Sequence, residues 1–169
     1  MTSELPSTVS DDEWLSRAIL TRHHVHRVIL DDGSTGLEVM RGFFFPFDQN
    51  DRGLSAFRRM AGMKVIKEHA SGMFSYCGFG HALSGNLRDM NATVDAAPIP
   101  RAPEHANIGL ADLISPDDVN GFTDAQKGEP IDPSYRRRID KVIDRLTRCF
   151  TITFDEDSKG YRKTMRYSC

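Results

Sequence analysis

Cysteine is scarce, at three in 169 residues (Cys77, Cys149 and Cys169). An odd number at irregular spacing does not make a disulfide framework, so the core must hold the fold and the thiols are expected to be reduced. Long hydrophobic runs are also missing. The longest apolar cluster, Gly42 to Phe47, is interrupted by Pro46 and falls far short of the ~20 residues that span a bilayer. Met1 to Ser10 is polar and contains Pro6, so no secretory leader is expected and the reading is cytoplasmic, with no membrane partner. Charge of one sign is not in excess. Lys and Arg number 22 against 24 Asp and Glu, a net charge of −2, so only a local patch can argue for an anionic partner. Nothing matches a P-loop. Gly78-Phe79-Gly80 lacks the third glycine and the following helix of a dinucleotide fingerprint. No carboxylate pair stands out for general acid–base work, no repeat is visible, and no cofactor is implied.

What is present is ordinary globular material, 39% hydrophobic and 27% charged, enough for one core. Residues 1–9 read as a flexible tail and 10–169 as a single α+β domain with a mainly antiparallel sheet. Ser10 and Glu13 have capping-box spacing, and Trp14, Leu15, Ala18 and Ile19 recur at helical spacing, which predicts an N-terminal helix over 11–22. Val25 to Leu30, the turn Asp31-Asp32-Gly33-Ser34, and Leu37 to Phe45 predict a hairpin. Residues 54–97 are ambiguous, with a glycine-ended strand at Met73 to Phe79. His105 to Leu110 reads as a strand. Ser115-Pro116 starts a helix that Gly121 should end early. Asp132-Pro133 starts an amphipathic basic helix to about 148, with Ile139, Val142, Ile143 and Leu146 on one face. Phe150 to Phe154 and Tyr161 to Tyr167 predict a C-terminal hairpin.

Two patterns suggest chemistry. In His23-His24-Val25-His26, an extended strand would place His24 and His26 on one side, as a pair of metal ligands; helix-end histidines are the alternative. In Cys77-Gly78-Phe79-Gly80-His81, a thiolate near an imidazole is the core of cysteine nucleophile chemistry, and glycine N–H groups could hold an oxyanion. Strand spacing would set the two side chains on one face about 13 Å apart, and a packed structural Cys77 is the competing reading.

Two further patterns suggest surfaces. Arg136, Arg137, Arg138, Lys141, Arg145 and Arg148 share one helix, and Arg162, Lys163 and Arg166 follow with Tyr161 and Tyr167 among them. Such a cluster suits phosphate backbones, although Asp140 and Asp144 can pair with it. Phe43-Phe44-Phe45-Pro46-Phe47 on an edge strand would expose one aromatic face, with Phe43 and Phe45 as partner contacts; the alternative is a buried strand.

The segment from Phe45 to Ile108 resembles a pattern in small uncharacterised bacterial proteins. It is carried by Phe45-Pro46, Asp51, Gly53-Leu54-Ser55, Arg58 and His105-Ala106-Asn107-Ile108, and spans a little over a third of the chain. The resemblance implies no activity. It draws Ser55, Arg58 and His105 together as a candidate anion or nucleotide site, against the reading of Ser55 as a helix cap. The resulting expectation is a non-catalytic component of a cytosolic bacterial or phage-related assembly. It would contact a protein partner and, through the basic C-terminal unit, nucleic acid. The rival is a small Cys/His or metal-assisted hydrolase, or a nucleotide-directed transferase, using Cys77, His81, Ser55, Arg58 and His105.

Overall fold

A computed structural model describes residues 4–46 and 48–166. Its elements are β1 (Trp14–Leu20), α1 (Thr21–His24), β2 (Val25–Ile29), β3 (Thr35–Val39), β4 (Gly53–Arg58), α2 (Met63–Ser71), β5 (Tyr76–Leu83), α3 (Ser84–Asp89), β6 (Thr93–Ala96), β7 (His105–Gly109), α4 (Pro116–Gln126), α5 (Pro133–Cys149), β8 (Phe150–Phe154) and α6 (Lys159–Arg166). Six strands form one antiparallel sheet in the order β6-β7-β4-β1-β5-β8, and β2 pairs with β3 as a separate hairpin. The fold is α+β and mainly antiparallel, as expected.

The two ends differ from expectation in type. Residues 14–20 are a central strand rather than a helix. Leu15 and Ile19 enter the core on one face, while Ser16 and Ala18 are buried on the other. A strand covered on both sides has no simple alternation, so its apolar spacing imitates a helix. At the other end, Tyr161 to Arg166 form α6 instead of a return strand, so β8 has no hairpin partner there. The Ser158 hydroxyl accepts the Tyr161 N–H at 3.1 Å, a side-chain cap at the helix start. Tyr167 and Cys169 lie outside the described residues. The expected hairpin over 25–45 forms but is shorter. After β3 the chain turns inward as a 3₁₀ turn at Arg41–Phe44. Gly121 does not stop α4: the Ser115–Asp118 capping box starts the helix, and buried Val119 and Phe122 carry it to Gln126. The basic helix and the strands at 105–109 and 150–154 are where the pattern placed them.

The sheet faces are unequal. One face carries the main core, where Leu15, Ile19, Leu54, Ala56 and Ile108 meet Phe43, Phe44 and Phe45 and the apolar stripe of α5. On the other face α2 packs Ile66 and Ala70 on Ala18, Phe57, Tyr76 and Phe79. Towards its edges that face is open, with Ser55, Thr93, Asp95, Thr151 and Thr153 exposed.

At the main-core side of β4, Arg58 is fully enclosed. Its Nε and Nη2 donate to the two oxygens of equally buried Glu13, at 2.7 and 2.9 Å. The guanidinium also donates to the carbonyls of Pro6 and Thr8. Residues 6–9, expected as loose tail, are therefore tied down, and Val9 is buried. Removing one partner of such a pair leaves an uncompensated buried charge. We expect Arg58→Ala to lower unfolding free energy by about 3–5 kcal/mol. The double change Glu13→Leu with Arg58→Met should recover part of that loss in urea titrations. Equal losses in both variants would mean that the orphaned carboxylate is not the cause.

Candidate functional site

The side chains proposed for chemistry do not converge. Cys77 and His81, four residues apart, end on opposite faces. The pairing of β5 with β1 runs Gly78 against Ile19 and then Tyr76 against Leu20, so Cys77 is the extra residue of a β-bulge. The bulge turns Cys77 into the main core, where its thiol donates to the Ile19 carbonyl at 3.5 Å. His81 stays on the other face and meets Ser16 across the strands, Nδ1 to Oγ at 2.8 Å. Ser16 is fully enclosed, so this contact is a cross-strand link. The flanking glycines serve packing: a Cβ on Gly80 would lie 2.6 Å from the ring of Phe43.

The cross-strand registers set His105, Phe57, Ser16 and His81 in one row on β7, β4, β1 and β5. His105 and His81 are thus three strand spacings apart, about 14 Å. Ser55 sits on the same face opposite Asn107, and Arg58 points to the other side, onto Glu13. The residues of the resemblance do meet, but as a strand pair. Gly53, Leu54 and Ser55 lie opposite Gly109, Ile108 and Asn107, and a Cβ on Gly53 would run into the Asn107 side chain.

His24 and His26 do not form a ligand pair. His24 closes α1, packs edge-on against Phe43 at 5.3 Å, and its Nδ1 accepts the Leu20 N–H at 3.1 Å. His26 lies on β2 opposite Glu38, with Nε2 3.2 Å from its carboxylate. Among the described residues no group of three His, Cys, Asp or Glu is placed to hold a metal ion.

Burial governs the titration of these groups. It pushes the Cys77 thiol up to about 12 and pulls His24 down to about 3, with Arg17 and His23 adding to the second shift. Burial and Arg59 lower His81 as well. Native Cys77 should therefore resist iodoacetamide between pH 7 and 9 and label fully in urea, as read by peptide mass spectrometry. Rapid native labelling would contradict its enclosure. For His24, the ordinary value of 6.5 governs the unfolded chain. Below it the unfolded chain binds a proton that the folded chain refuses, so stability is lost as pH falls from 6.5 towards 3. This one residue should cost about 2 kcal/mol by pH 5. Urea midpoints at pH 7.5 and 5 should show the drop, and His24→Asn, which keeps an acceptor, should flatten it.

The aromatic cluster is not a surface. Phe43 and Phe45 are fully enclosed, with Phe43 edge-on to Phe44 and Phe150 and Phe45 against Phe122. The expectation of a partner face at Phe43 and Phe45 is corrected: the 3₁₀ turn folds both rings into the main core. Phe47 lies outside the described residues.

The basic residues remain outside. On α5 the side chains of Arg137, Lys141, Arg145 and Arg148 are exposed opposite the buried stripe of Ile139, Val142, Ile143 and Leu146. At 1.5 Å per residue the stripe from 137 to 148 is about 17 Å long. No carboxylate among the described residues forms an ion pair with these four. Two other charged side chains of the helix are paired with other elements. Arg138 reaches buried Asp118 at 3.0 Å and stacks on Tyr135, and Asp140 is taken by Arg41. Arg136 lines a cleft of about 540 Å³ between the β2–β3 hairpin and α4–α5. On α6, Arg162 pairs with Asp157 at 3.0 Å, and Arg166 is exposed beside Lys159 and Lys163.

A larger cleft, about 930 Å³, opens between α6, α1, the end of α2 and the start of β5. Five basic side chains line it against two carboxylates. On its wall Lys67 bridges to Asp155 at 3.0 Å, and the Tyr76 hydroxyl donates to the same carboxylate at 3.3 Å. Burial and Asp155 raise the Tyr76 phenol, keeping it a neutral donor. Sequence reasoning missed Arg22, Lys67, Phe74 and Ser75 because they come from separate elements and form no local motif.

Compared with family models, with curated proteins and with solved structures, the chain matches none. Among the described residues no helix is long and apolar enough to cross a membrane.

Proposed function

We propose that this protein is a non-catalytic binding component that docks on nucleic acid, within a larger assembly, through the outer face of α5. The observation that carries the reading is the stripe Arg137, Lys141, Arg145 and Arg148 on a chain whose net charge is −2. Four cations on one rigid helix, facing water and free of ion pairs among the described residues, cost self-repulsion that an anionic surface would relieve. Asp144 lies among them, and Asp140 beside them is taken by Arg41. A phosphate backbone suits such a row, because each cation that meets a phosphate releases condensed counterions. The dispersal of Cys77, His81, Ser55, Arg58 and His105 supports a binding role over a Cys/His hydrolase.

Fluorescence anisotropy with labelled 20-nucleotide single strands and duplexes, across a salt series, tests this. Arg137→Ala, Lys141→Ala and Arg148→Ala combined should weaken binding and reduce the slope of log affinity against log salt by about 2–3. Arg138 is left intact in this variant because its loss would strip the buried Asp118 of its partner. Unchanged binding by the folded triple variant would refute the reading.

A further inference from the structure

We propose a second ligand site, for a free nucleoside polyphosphate, in the cleft between α6, α1 and the α2–β5 turn. It does not rest on the α5 stripe, which contributes nothing to the lining. Four observations meet there.

The first is charge. Lys67 is held by Asp155, and Asp157 is held by Arg162 outside. Arg22, Lys159 and Lys163 line the same space and form no ion pair with a carboxylate among the described residues. Both acidic groups of the cleft are therefore paired while three cations have no carboxylate partner among the described residues, which suits an anion of more than one charge.

The second is a ring. Phe74 is 69% exposed and lines the cleft. The guanidinium of Arg22 stands over it at 4.8 Å. A flat heteroaromatic base stacks on such a ring without needing a particular base, because every base presents a π face.

The third is an unused donor. Ser75 holds a left-handed backbone, φ 65°, which side-chain-bearing residues rarely adopt. Its Oγ is buried with no hydrogen-bond partner among the described residues. Buried hydroxyls nearly always have one, and strain of this kind gathers at ligand sites.

The fourth is rigidity. The Thr21 N–H donates to the Ser75 carbonyl at 2.8 Å. On the other side Gly160, at the start of α6, packs against the Ser75 and Tyr76 carbonyls so closely that a Cβ there would overlap them. The Ser75 backbone is thus fixed from two helices before any ligand arrives, which lowers the cost of binding. A volume of about 930 Å³ lies within the range of small-molecule sites.

Isothermal titration of the full chain with ATP, GTP, CTP and UTP, beside tripolyphosphate and adenosine, tests the site. At least one nucleotide should saturate with Kd below about 1 mM, and tripolyphosphate and adenosine should each bind at least about tenfold more weakly. Phe74→Ala, Phe74→Leu and the pair Lys159→Ala with Lys163→Ala should each weaken that nucleotide about tenfold, with folding checked by circular dichroism. The triple α5 variant should keep nucleotide binding while losing the oligonucleotide, so the two proposals fail separately. Absence of saturation by all four nucleotides at about 10 mM would overturn the site. So would tripolyphosphate binding as tightly as the best nucleotide, or wild-type affinity in the folded Phe74→Leu and lysine variants.

Discussion

The structure turns on a buried ion pair. Glu13 and Arg58 are both almost wholly enclosed, and a charge in that setting is tolerable only with its partner and its remaining hydrogen bonds in place. Meeting that condition draws distant segments to one end of the sheet. Arg58 takes the carbonyls of Pro6 and Thr8, its backbone N–H donates to the Glu104 carbonyl, and Ser84 donates to the Glu13 carbonyl through both its N–H and its hydroxyl. Glu104, itself buried, is met by His69 from α2. Segments near residues 6, 13, 58, 84 and 104 are thereby registered against one another, a constraint apolar packing alone does not impose.

From that node the sheet divides the molecule into a dry side and a partly open one. Gly78 and Gly80 leave room on β5 for Thr153 and the Phe43 ring, so the aromatic turn at 41–44 folds flat against the strands. Arg17 secures the turn, donating to the Phe43 carbonyl at 3.1 Å with its guanidinium 5.3 Å from the ring centre. The aromatics of this turn point inward. Cationic side chains line the exposed face of α5 and the surroundings of α6. The histidines and cysteine that the local sequence singles out are scattered: Cys77, His81 and His105 over the large sheet, His26 on the hairpin and His24 at the end of α1.

Several elements were legible because their local signals agreed with their surroundings. Asp132-Pro133 and the stripe Ile139, Val142, Ile143 and Leu146 announce α5, whose partner is simply the nearest apolar face. The turn at 31–34 announces the β2–β3 hairpin, which needs only its own two strands. Residues 14–20 carry a misleading signal because a strand buried on both faces shows no period of two. The C-terminal segment departs from its pattern for a smaller reason: Ser158, three residues before Tyr161, caps a helix.

Composition and local pattern were enough for the class, a mainly antiparallel α+β fold, and for the cationic helix that faces out of it. Those follow from composition and from periodicity within single elements. Which reactive groups come together depended on the three-dimensional pairing of the strands. One bulged residue at Cys77 separated it from His81, and three strand spacings separated His81 from His105. The inward turn removed Phe43 and Phe45 from the surface, and the packing of Gly160 on Ser75 built a cleft from side chains far apart in the chain. The physical reason is the same in each case. Which face a side chain takes depends on the register of its neighbours, and register is set by long-range pairing that no local pattern encodes.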